Sequence, residues 1–166
     1  MSYLKKKVIA IIPCRSGSKK IRDKNLIKIY NKSLIQYSFI FAKQCGLFDK
    51  ILISTDSKKY KKIAEGFGAE IPFLRPKSIS KDNSTDLEFV QHCLKDLIKK
   101  ENYNPDFIVH LRPTSPLRKI KDIKKGLKIL IQNTKIDSVK SISLNTHPVY
   151  KIWNKNENNI IKPIVK

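Results

Sequence analysis

The 166-residue sequence is poor in several features that define large protein classes. Its five glycines and eight prolines are too few for a collagen-like or low-complexity chain. No apolar run approaches the roughly 18 residues of a membrane-spanning helix. The first apolar run, Val8–Ile12, is too short for the hydrophobic part of a secretion signal. We therefore expect a single soluble, cytoplasmic domain that is long enough to bury a core.

Cysteine is also scarce. The three cysteines lack the spacing of metal ligands, and their odd number favours reduced thiols. Cys45 and Cys93 fall on apolar helix faces and are predicted to be small core residues. Cys14 falls in a polar loop, where it could be exposed. A catalytic role for Cys14 is disfavoured, because no neighbouring residue would serve as its base.

Acidic residues are few: 14 Asp and Glu against 35 Lys and Arg give a net charge of +21. Such a charge first suggests nucleic-acid binding. However, only five of the basic residues are arginine, and the lysines are spread along the whole chain. We favour a general compositional bias over a dedicated nucleic-acid surface. The positive field would still attract any anionic substrate.

Apolar runs alternate with helical spacings along the chain. The continuous run Val8–Ile12 is typical of a strand buried on both faces of a parallel sheet. Apolar residues at helical spacing from Leu34 to Cys45 predict a helix that Gly46 ends. The same criteria predict strands at Ile51–Ile53, Ala69–Leu74 (an edge strand), Phe107–Leu111 and Asp137–Leu144, and helices over 58–67, 87–98 and 120–131. This order predicts an α/β fold with a mainly parallel sheet and helices on both faces.

Three polar loops follow predicted strands: Cys14–Asn25, Ser54–Ser57 and Arg112–Arg118. In such folds, ligands bind outside the carboxyl ends of the strands. The loops are far apart in sequence, but this topology brings them to one edge of the sheet, which predicts a ligand site there. Within the second loop, Asp56 is predicted to cap the following helix rather than to reach the site.

The first loop combines a glycine with many cations. Backbone N–H groups near Gly17 can cradle phosphate oxygens, which the cations can neutralise. The spacing matches neither the phosphate loop of P-loop proteins nor the dinucleotide-binding fingerprint. A solvated basic loop is an equally good interpretation of the composition alone. The cations are Arg15, Lys19, Lys20, Arg22 and Lys24, of which Lys20 and Arg22 are expected to be solvent-exposed.

The segment Ile12–Asn25 resembles the signature of CMP-sugar synthetases, the acylneuraminate-type cytidylyltransferases. Several motifs in sequence order are far more specific than any one alone, and the resemblance covers essentially the whole chain. It implies a three-layer αβα, Rossmann-like fold of the nucleotide-diphospho-sugar transferase type. The other matching segments are Ile53–Asp56, Phe67–Glu70, Leu74–Pro76, Leu111–Arg118 and Thr146–Pro148.

The resemblance implies that CTP and a sugar acid form a CMP-sugar and pyrophosphate. The anomeric hydroxyl of the sugar attacks the α-phosphate in line, so positioning and charge stabilisation dominate. By resemblance, Asn25 contacts the nucleotide, and Arg15 and Lys24 are the catalytic residues that stabilise the departing pyrophosphate. The residues matching the triphosphate-binding positions of the family are Arg15, Ser18, Lys19 and Lys24.

A second loop matches the base-contacting loop of the family, through Arg75, Asp82, Ser84 and Thr85. Short hydroxyls suit the amino and carbonyl groups of cytosine. Ser84 or Thr85 is an equally good N-cap for the helix near Leu87, and one residue could do both.

Arg112, Thr114 and Ser115 match sugar-binding positions by resemblance. Sialic-acid-activating members typically have Gln where this chain has Arg112. A legionaminic- or pseudaminic-acid-like substrate is therefore at least as well supported as N-acetylneuraminate. His147 either lines the sugar pocket or is a turn residue before Pro148.

The resemblance also implies Mg²⁺, with carboxylate ligands in a later segment. Beyond Asp137 the only acid is Glu157, so the metal ligands are unassigned and are expected beyond Lys166. Residues 1–166 are interpreted as a single cytidylyltransferase domain truncated at its C-terminus, which binds CTP but turns over weakly. The full-length protein is expected to be a homodimer without a membrane partner.

Two other functions stay open. A nucleic-acid-binding module would use the +21 charge, but no recognition motif supports it, so a nucleic-acid partner is disfavoured. A nucleotidyltransferase for a different sugar is the second, and only the resemblance of Pro113–Pro116 argues against it.

Overall fold

A computed structural model describes residues 6–142, residue 157 and the backbone of residues 153–155 and 161–163. Two compact units, Met1–Ile120 and Lys121–Lys166, are described separately. Within the described residues, no helix is long and apolar enough to cross a membrane. The elements are β1 (Val8–Pro13), β2 (Lys28–Ile29), β3 (Lys32–Ser33), α1 (Leu34–Cys45), β4 (Lys50–Ser54), α2 (Lys58–Glu65), α3 (Asp86–Glu101), β5 (Phe107–His110), α4 (Ile120–Gln132), β6 (Trp153–Lys155) and β7 (Ile161–Pro163).

The first unit is built on a sheet of three parallel strands in the order β4-β1-β5. In the centre, Ile11 of β1 lies opposite Leu52 of β4 and His110 of β5. All residues from Val8 to Ile12 are buried, as expected for a central strand covered on both faces. The three predicted strands at these positions are confirmed.

The core lies on both sides of this sheet. On one side, Ile9 and Ile11 form a cluster with side chains of α3; strand pleating places Val8, Ala10 and Ile12 on the other face. Helix α1 contacts β1 and β4 and contributes nothing to that cluster. The predicted layered α/β arrangement is thereby confirmed. The cluster comprises Ile9, Ile11, Leu52, Phe73, Phe89, Cys93 and Leu97.

Side-chain caps fix where the helices begin. The Ser33 hydroxyl accepts a hydrogen bond from the Gln36 N–H at the start of α1, and Ser57 does the same for Tyr60 at the start of α2. Helix α1 ends at Gly46, whose φ of +61° is a left-handed conformation that glycine adopts without strain. The predicted stop at Gly46 is confirmed.

The strand predicted at Ala69–Leu74 is wrong. Its side chains do alternate, with Ala69, Ile71 and Phe73 buried, which is the pattern that suggested a strand. However, its backbone has no ladder partner: the Ala69 N–H donates to the Ala64 carbonyl oxygen, as part of the turn that ends α2. The segment therefore packs like a strand without extending the sheet.

A small hairpin, β2–β3, was not predicted. Its two strands pair antiparallel, and its turn residues Tyr30 and Asn31 have φ values of +44° and +67°. Positive φ at both positions matches the right-handed twist of paired strands. The hairpin carries no alternating apolar pattern, so the sequence offered little signal for it.

The second unit contains α4 and the antiparallel pair β6–β7. The predicted strand Asp137–Leu144 is wrong over 137–142, which forms no strand; residues 143 and 144 lie outside the described part. Gly126 of α4 lies against this segment, since a Cβ there would be 3.6 Å from Cγ1 of Val139. Thr146–Pro148, and with it His147, also lies outside the described residues.

Candidate functional site

A cavity of about 590 Å³ opens beside the carboxyl end of β1 in the first unit. It is lined by the loop after β1, the loop before α3 and the loop after β5, so two of the three predicted loops meet there. Its wall is mainly basic and polar. The lining residues are Pro13, Arg15, Ser18, Lys19, Lys20, Ile21, Lys24, Asn25, Arg75, Lys81, Asp82, Ser84, Thr85, Asp86, Phe89, Arg112, Pro113 and Thr114.

The loop after β1 is anchored to its surroundings near both ends. The Asp56 carboxylate accepts hydrogen bonds from the N–H and the hydroxyl of Ser16, at 2.8 and 2.9 Å. The buried Asn25 amide donates to the Arg15 carbonyl oxygen at 3.1 Å and so ties the two ends of the loop together. Asp56 therefore holds this loop, and its predicted role as a helix cap is wrong, because Ser57 is the cap.

Asp23 provides a further anchor just before Lys24. It has a left-handed φ of +49°, a conformation that costs free energy for a residue with a Cβ. Its carboxylate accepts hydrogen bonds from the Tyr60 hydroxyl at 2.8 Å and from the Lys59 ammonium at 3.1 Å. These bonds hold the pKa of Asp23 below its usual range and fix the turn that presents Lys24.

The cations of this loop have different partners. Arg15 and Lys19 both contact Asp82, with Nη2–Oδ1 and Nζ–Oδ2 distances of 2.7 and 2.6 Å. Arg15 also donates to the Ser80 carbonyl oxygen. Lys24 lines the cavity, and within the described residues its ammonium forms no hydrogen bond or ion pair. It is therefore available to a ligand without losing a protein partner.

Arg75 is the most deeply buried cation of the cavity wall, with 5% of its surface exposed. Its guanidinium donates to the Ser54 hydroxyl and the Ser54 carbonyl oxygen, and lies 4.6 Å from the ring centroid of Phe89. Burial lowers its pKa. Within the described residues no carboxylate forms an ion pair with it, which is costly for a buried charge.

The loop before α3 combines helix capping with a position in the wall. Thr85 forms a capping box with Glu88: its hydroxyl accepts from the Glu88 N–H, and the Glu88 carboxylate accepts from the Thr85 N–H. The Ser84 hydroxyl accepts from the Lys81 N–H. Thr85, and not Ser84, is therefore the N-cap of α3. Both residues also line the cavity.

The loop after β5 brings Arg112 and Thr114 to the cavity, whereas Ser115 is exposed outside it. The Arg112 guanidinium contacts the Asp86 carboxylate, which also lies 3.9 Å from Nδ1 of His110. Arg118 donates to the Arg112 carbonyl oxygen and to the Ser38 hydroxyl. It thereby holds the loop against α1 instead of facing a ligand.

Comparison with known protein families assigns the chain that carries this site to one of them. The model of the cytidylyltransferase family matches residues 9–162. The chain is a cytidylyltransferase family member. The CMP-sugar synthetase signature inferred from Ile12–Asn25 is confirmed at this level, and that segment forms the basic wall of the cavity.

Curated relatives place the chain among enzymes named for sugar acids. It is 35% identical to the N-acylneuraminate cytidylyltransferase of Escherichia coli over 87% of this chain and 33% of that protein. It is 32% identical to the pseudaminic acid cytidylyltransferase of Campylobacter jejuni, over 92% and 65%. With the CMP-N,N'-diacetyllegionaminic acid synthase of Legionella pneumophila the identity is 34%, over 95% and 67%. The chain thus spans between one third and two thirds of these relatives.

Solved structures support the fold. A CMP:2-keto-3-deoxy-manno-octonic acid synthetase complexed with CTP matches with a TM-score of 0.64 and 19% identity, over 77% of this chain and 48% of that one. A cytidylyltransferase from Leptospira borgpetersenii matches with a TM-score of 0.58 and 22% identity, over 77% and 50%. The predicted αβα nucleotidyltransferase fold is therefore confirmed.

Most of the residues that the cytidylyltransferase motifs single out line one cavity. Among the predicted nucleotide- and sugar-binding residues that the structure describes, only Ser115 lies elsewhere. Lys20, expected in solvent, is exposed but borders the cavity. Cys14 is completely buried, so its possible exposure is excluded; burial raises the pKa of its thiol. The residues brought together are Arg15, Ser18, Lys19, Lys24, Asn25, Arg75, Ser84, Thr85, Arg112 and Thr114.

Sequence reasoning missed several wall residues of this cytidylyltransferase. Phe89 was overlooked because Leu87 and Val90 suggested a slightly rotated apolar face for α3, whereas Phe89 is buried and Leu87 is 62% exposed. Lys81 had no signal beyond lying in a polar loop. A four-residue spacing from Phe89 through Cys93 to Leu97 would have found the face that is buried.

Proposed function

We propose that this chain binds CTP in the cavity and transfers its cytidylyl group to a nonulosonic acid, releasing pyrophosphate. The names of the curated relatives support this class of substrate, since all three describe the activation of such an acid. The cavity supports it independently, because a basic wall and a loop of short hydroxyls suit a pyrimidine nucleotide.

The buried Arg75 carries the proposal. A buried guanidinium without a carboxylate partner among the described residues needs a ligand to complete its hydrogen bonds. We assign its free donor capacity to the carbonyl oxygen of cytosine. The hydroxyls of Ser84 and Thr85 are proposed to accept from the amino group of the base. Adenine has no carbonyl oxygen and is larger, so it satisfies this wall poorly.

We assign the triphosphate to Arg15, Ser18, Lys19 and Lys24. We assign a further contact with the nucleotide to Asn25. The reaction is an in-line attack of the anomeric oxygen on the α-phosphorus, with the bond to the β-phosphate oxygen breaking. The chain itself positions the groups and neutralises charge. Negative charge grows on the departing pyrophosphate, where Arg15 and Lys24 would stabilise it most in the transition state.

The sugar acid is assigned to the loop after β5, through Arg112 and Thr114, which line the cavity. The planar guanidinium of Arg112 suits a carboxylate, which would take the place of Asp86. Arg112 stands where sialic-acid-activating members of the family typically have Gln, so we propose a legionaminic- or pseudaminic-acid-like substrate. CTP is a cytoplasmic metabolite, and we propose that compartment for the reaction.

Mg²⁺ is the cation we expect for this reaction, but the described residues offer it no site of their own. They contain no cluster of three or more His, Cys, Asp or Glu. The two cavity carboxylates are already neutralised, Asp82 by Arg15 and Lys19 and Asp86 by Arg112. Mg²⁺ usually takes one or two carboxylates together with substrate phosphates. The described part of the cavity wall therefore supplies no carboxylate that is free to hold the metal.

The first test is nucleotide choice. Thermal-shift titration with CTP, UTP, GTP and ATP is expected to show the largest stabilisation with CTP, because a bound ligand stabilises the folded state according to its affinity. Equal stabilisation by ATP would contradict the assignment of Arg75 and the base loop.

The second test is turnover. Pyrophosphate release is measured with CTP, Mg²⁺ and a panel of sugar acids that includes N-acetylneuraminate, legionaminic acid and pseudaminic acid. Release that depends on one of these acids supports the proposal. RNA that competes with CTP even in moderate salt would favour a nucleic-acid-binding module instead, since phosphate-backbone binding falls steeply with salt.

A further inference from the structure

The cavity already contains an anion that occupies its phosphate-binding cations. Asp82 uses both carboxylate oxygens: Oδ1 lies 2.7 Å from Nη2 of Arg15, and Oδ2 lies 2.6 Å from Nζ of Lys19. Asp82 belongs to the loop before α3, and Arg15 lies 67 residues earlier in the chain. The contact therefore joins two separate loops across the cavity.

This arrangement imitates what a phosphate group would do there. Two oxygens of one anionic group face a guanidinium and an ammonium at charge-assisted hydrogen-bond distances. The same two cations hold the pKa of Asp82 below its usual range, so the carboxylate is ionised at neutral pH. Asp82 is also partly exposed, at 37% of its side chain, so a ligand can reach the pair and replace it.

We infer that Asp82 is an affinity-setting residue: an internal counter-ion that a polyphosphate must displace from Arg15 and Lys19. The inference rests on the proposed function, which assigns these two cations to the triphosphate. Because CTP and pyrophosphate must each displace the Asp82 carboxylate, Asp82 lowers the affinity of the site for both. The site thus retains a strong cation pair for the reaction without holding the product tightly.

A direct consequence is that removing the negative charge should tighten polyphosphate binding. In Asp82→Asn the amide cannot neutralise two cations, so Arg15 and Lys19 are left for the ligand. We expect the dissociation constant of inorganic pyrophosphate to fall about ten-fold, since two partly exposed ion pairs no longer have to be broken. The dissociation constant of CTP should fall in parallel, whereas that of cytidine, which has no phosphate, should not change.

The experiment is isothermal titration of the 166-residue chain with pyrophosphate, CTP and cytidine in EDTA at fixed ionic strength. The matched control is Asp106→Asn, which changes the net charge equally. Asp106 pairs with Lys6 and accepts from the Lys7 N–H away from the cavity, so its variant should bind like wild type. Asp82→Ser is the second variant, and thermal unfolding confirms that each variant is folded.

The results separate the inference from the proposed function. Unchanged or weaker pyrophosphate binding in both Asp82 variants overturns the inference, because Asp82 would then orient the cations or contribute nothing. Equal tightening in Asp106→Asn also overturns it, since net charge alone would explain the effect. If pyrophosphate binding tightens while CTP binds no better than ATP, the counter-ion role stands and the proposed function fails. If CTP binds better than ATP but with the same affinity in all variants, the proposed function stands and the counter-ion role fails.

Discussion

Single side chains around the cavity are balanced between stability and binding, and Arg75 shows this most clearly. Its guanidinium is buried beside Ser54 and Phe89 and has no carboxylate partner among the described residues. Arg75→Met would keep the apolar contacts and remove the unpaired charge. We expect CTP binding to be lost, while the free energy of unfolding changes by less than about 2 kcal/mol, because removing the buried charge offsets the loss of two hydrogen bonds to Ser54.

Urea unfolding and calorimetric titration of the same preparation test this. Arg22→Met is the control, because Arg22 is exposed and does not line the cavity. A marked loss of stability in Arg75→Met with CTP binding retained would show that Arg75 has only a structural role.

Lys24 is the opposite case, a cation that makes no ion pair within the described residues. Its removal breaks no hydrogen bond or ion pair among the described residues, so Lys24→Ala should leave the thermal unfolding midpoint nearly unchanged. CTP binding should weaken by about 1–3 kcal/mol, the range for a lost charge-assisted contact. Lys100→Ala removes the same charge from the end of α3, where Lys100 pairs with Asp96. Identical CTP affinities in the two variants would show that the loop acts only as a basic surface.

At the scale of elements, the capping box before α3 links the helix to the cavity. Thr85→Ala removes the hydroxyl that accepts the Glu88 N–H, and it should lower the free energy of unfolding by about 1 kcal/mol. Thr85→Ser keeps an acceptor and should retain that stability. Urea denaturation of the three proteins provides the measurement. Equal stability of Thr85→Ala and wild type would mean that the hydroxyl is there for the ligand and not for the helix.

The elements also show what sequence can predict. Strands β1, β4 and β5 were predictable because each contains a continuous run of mainly apolar residues, which is typical of strands in a parallel sheet. The segment 69–74 has the right alternation, but which backbone lies opposite it is a long-range property. The cation set of the cavity was visible as a motif. Asp82 was predicted as part of the base-contacting loop, but its ion pair with Arg15 was not, because a contact across 67 residues leaves no local pattern.

At the scale of the whole molecule, mild acid should destabilise the fold through two histidines. Burial lowers the pKa of His92 and of His110 below the ordinary value of 6.5. Within the described residues, Nδ1 of His92 and Nε2 of His110 are buried without a hydrogen-bond partner. The unfolded chain therefore binds more protons than the folded protein below pH 6.5, and stability falls as pH drops through that value.

Thermal unfolding between pH 7.5 and 5.5 tests this expectation. The midpoint should fall with pH in the wild type, and the dependence should be shallower in a His92→Gln, His110→Gln double variant. The slope is the decisive quantity, since the substitutions themselves can change the midpoint. A double variant with the wild-type slope would place the proton uptake in other groups.

The buried Cys14 thiol allows the separation of the central strands to be measured by chemical labelling. It follows β1 directly, and its N–H donates to the Ser54 carbonyl oxygen at the end of β4. Because its sulfur is fully enclosed, a thiol-alkylating reagent can reach it only after β1 and β4 have separated. The rate at which mass is added to the peptide that contains Cys14 therefore counts openings of the sheet. In the absence of denaturant, and with enough reagent that alkylation outpaces reclosing, that rate equals the opening rate of the folded protein, and a bound nucleotide should lower it.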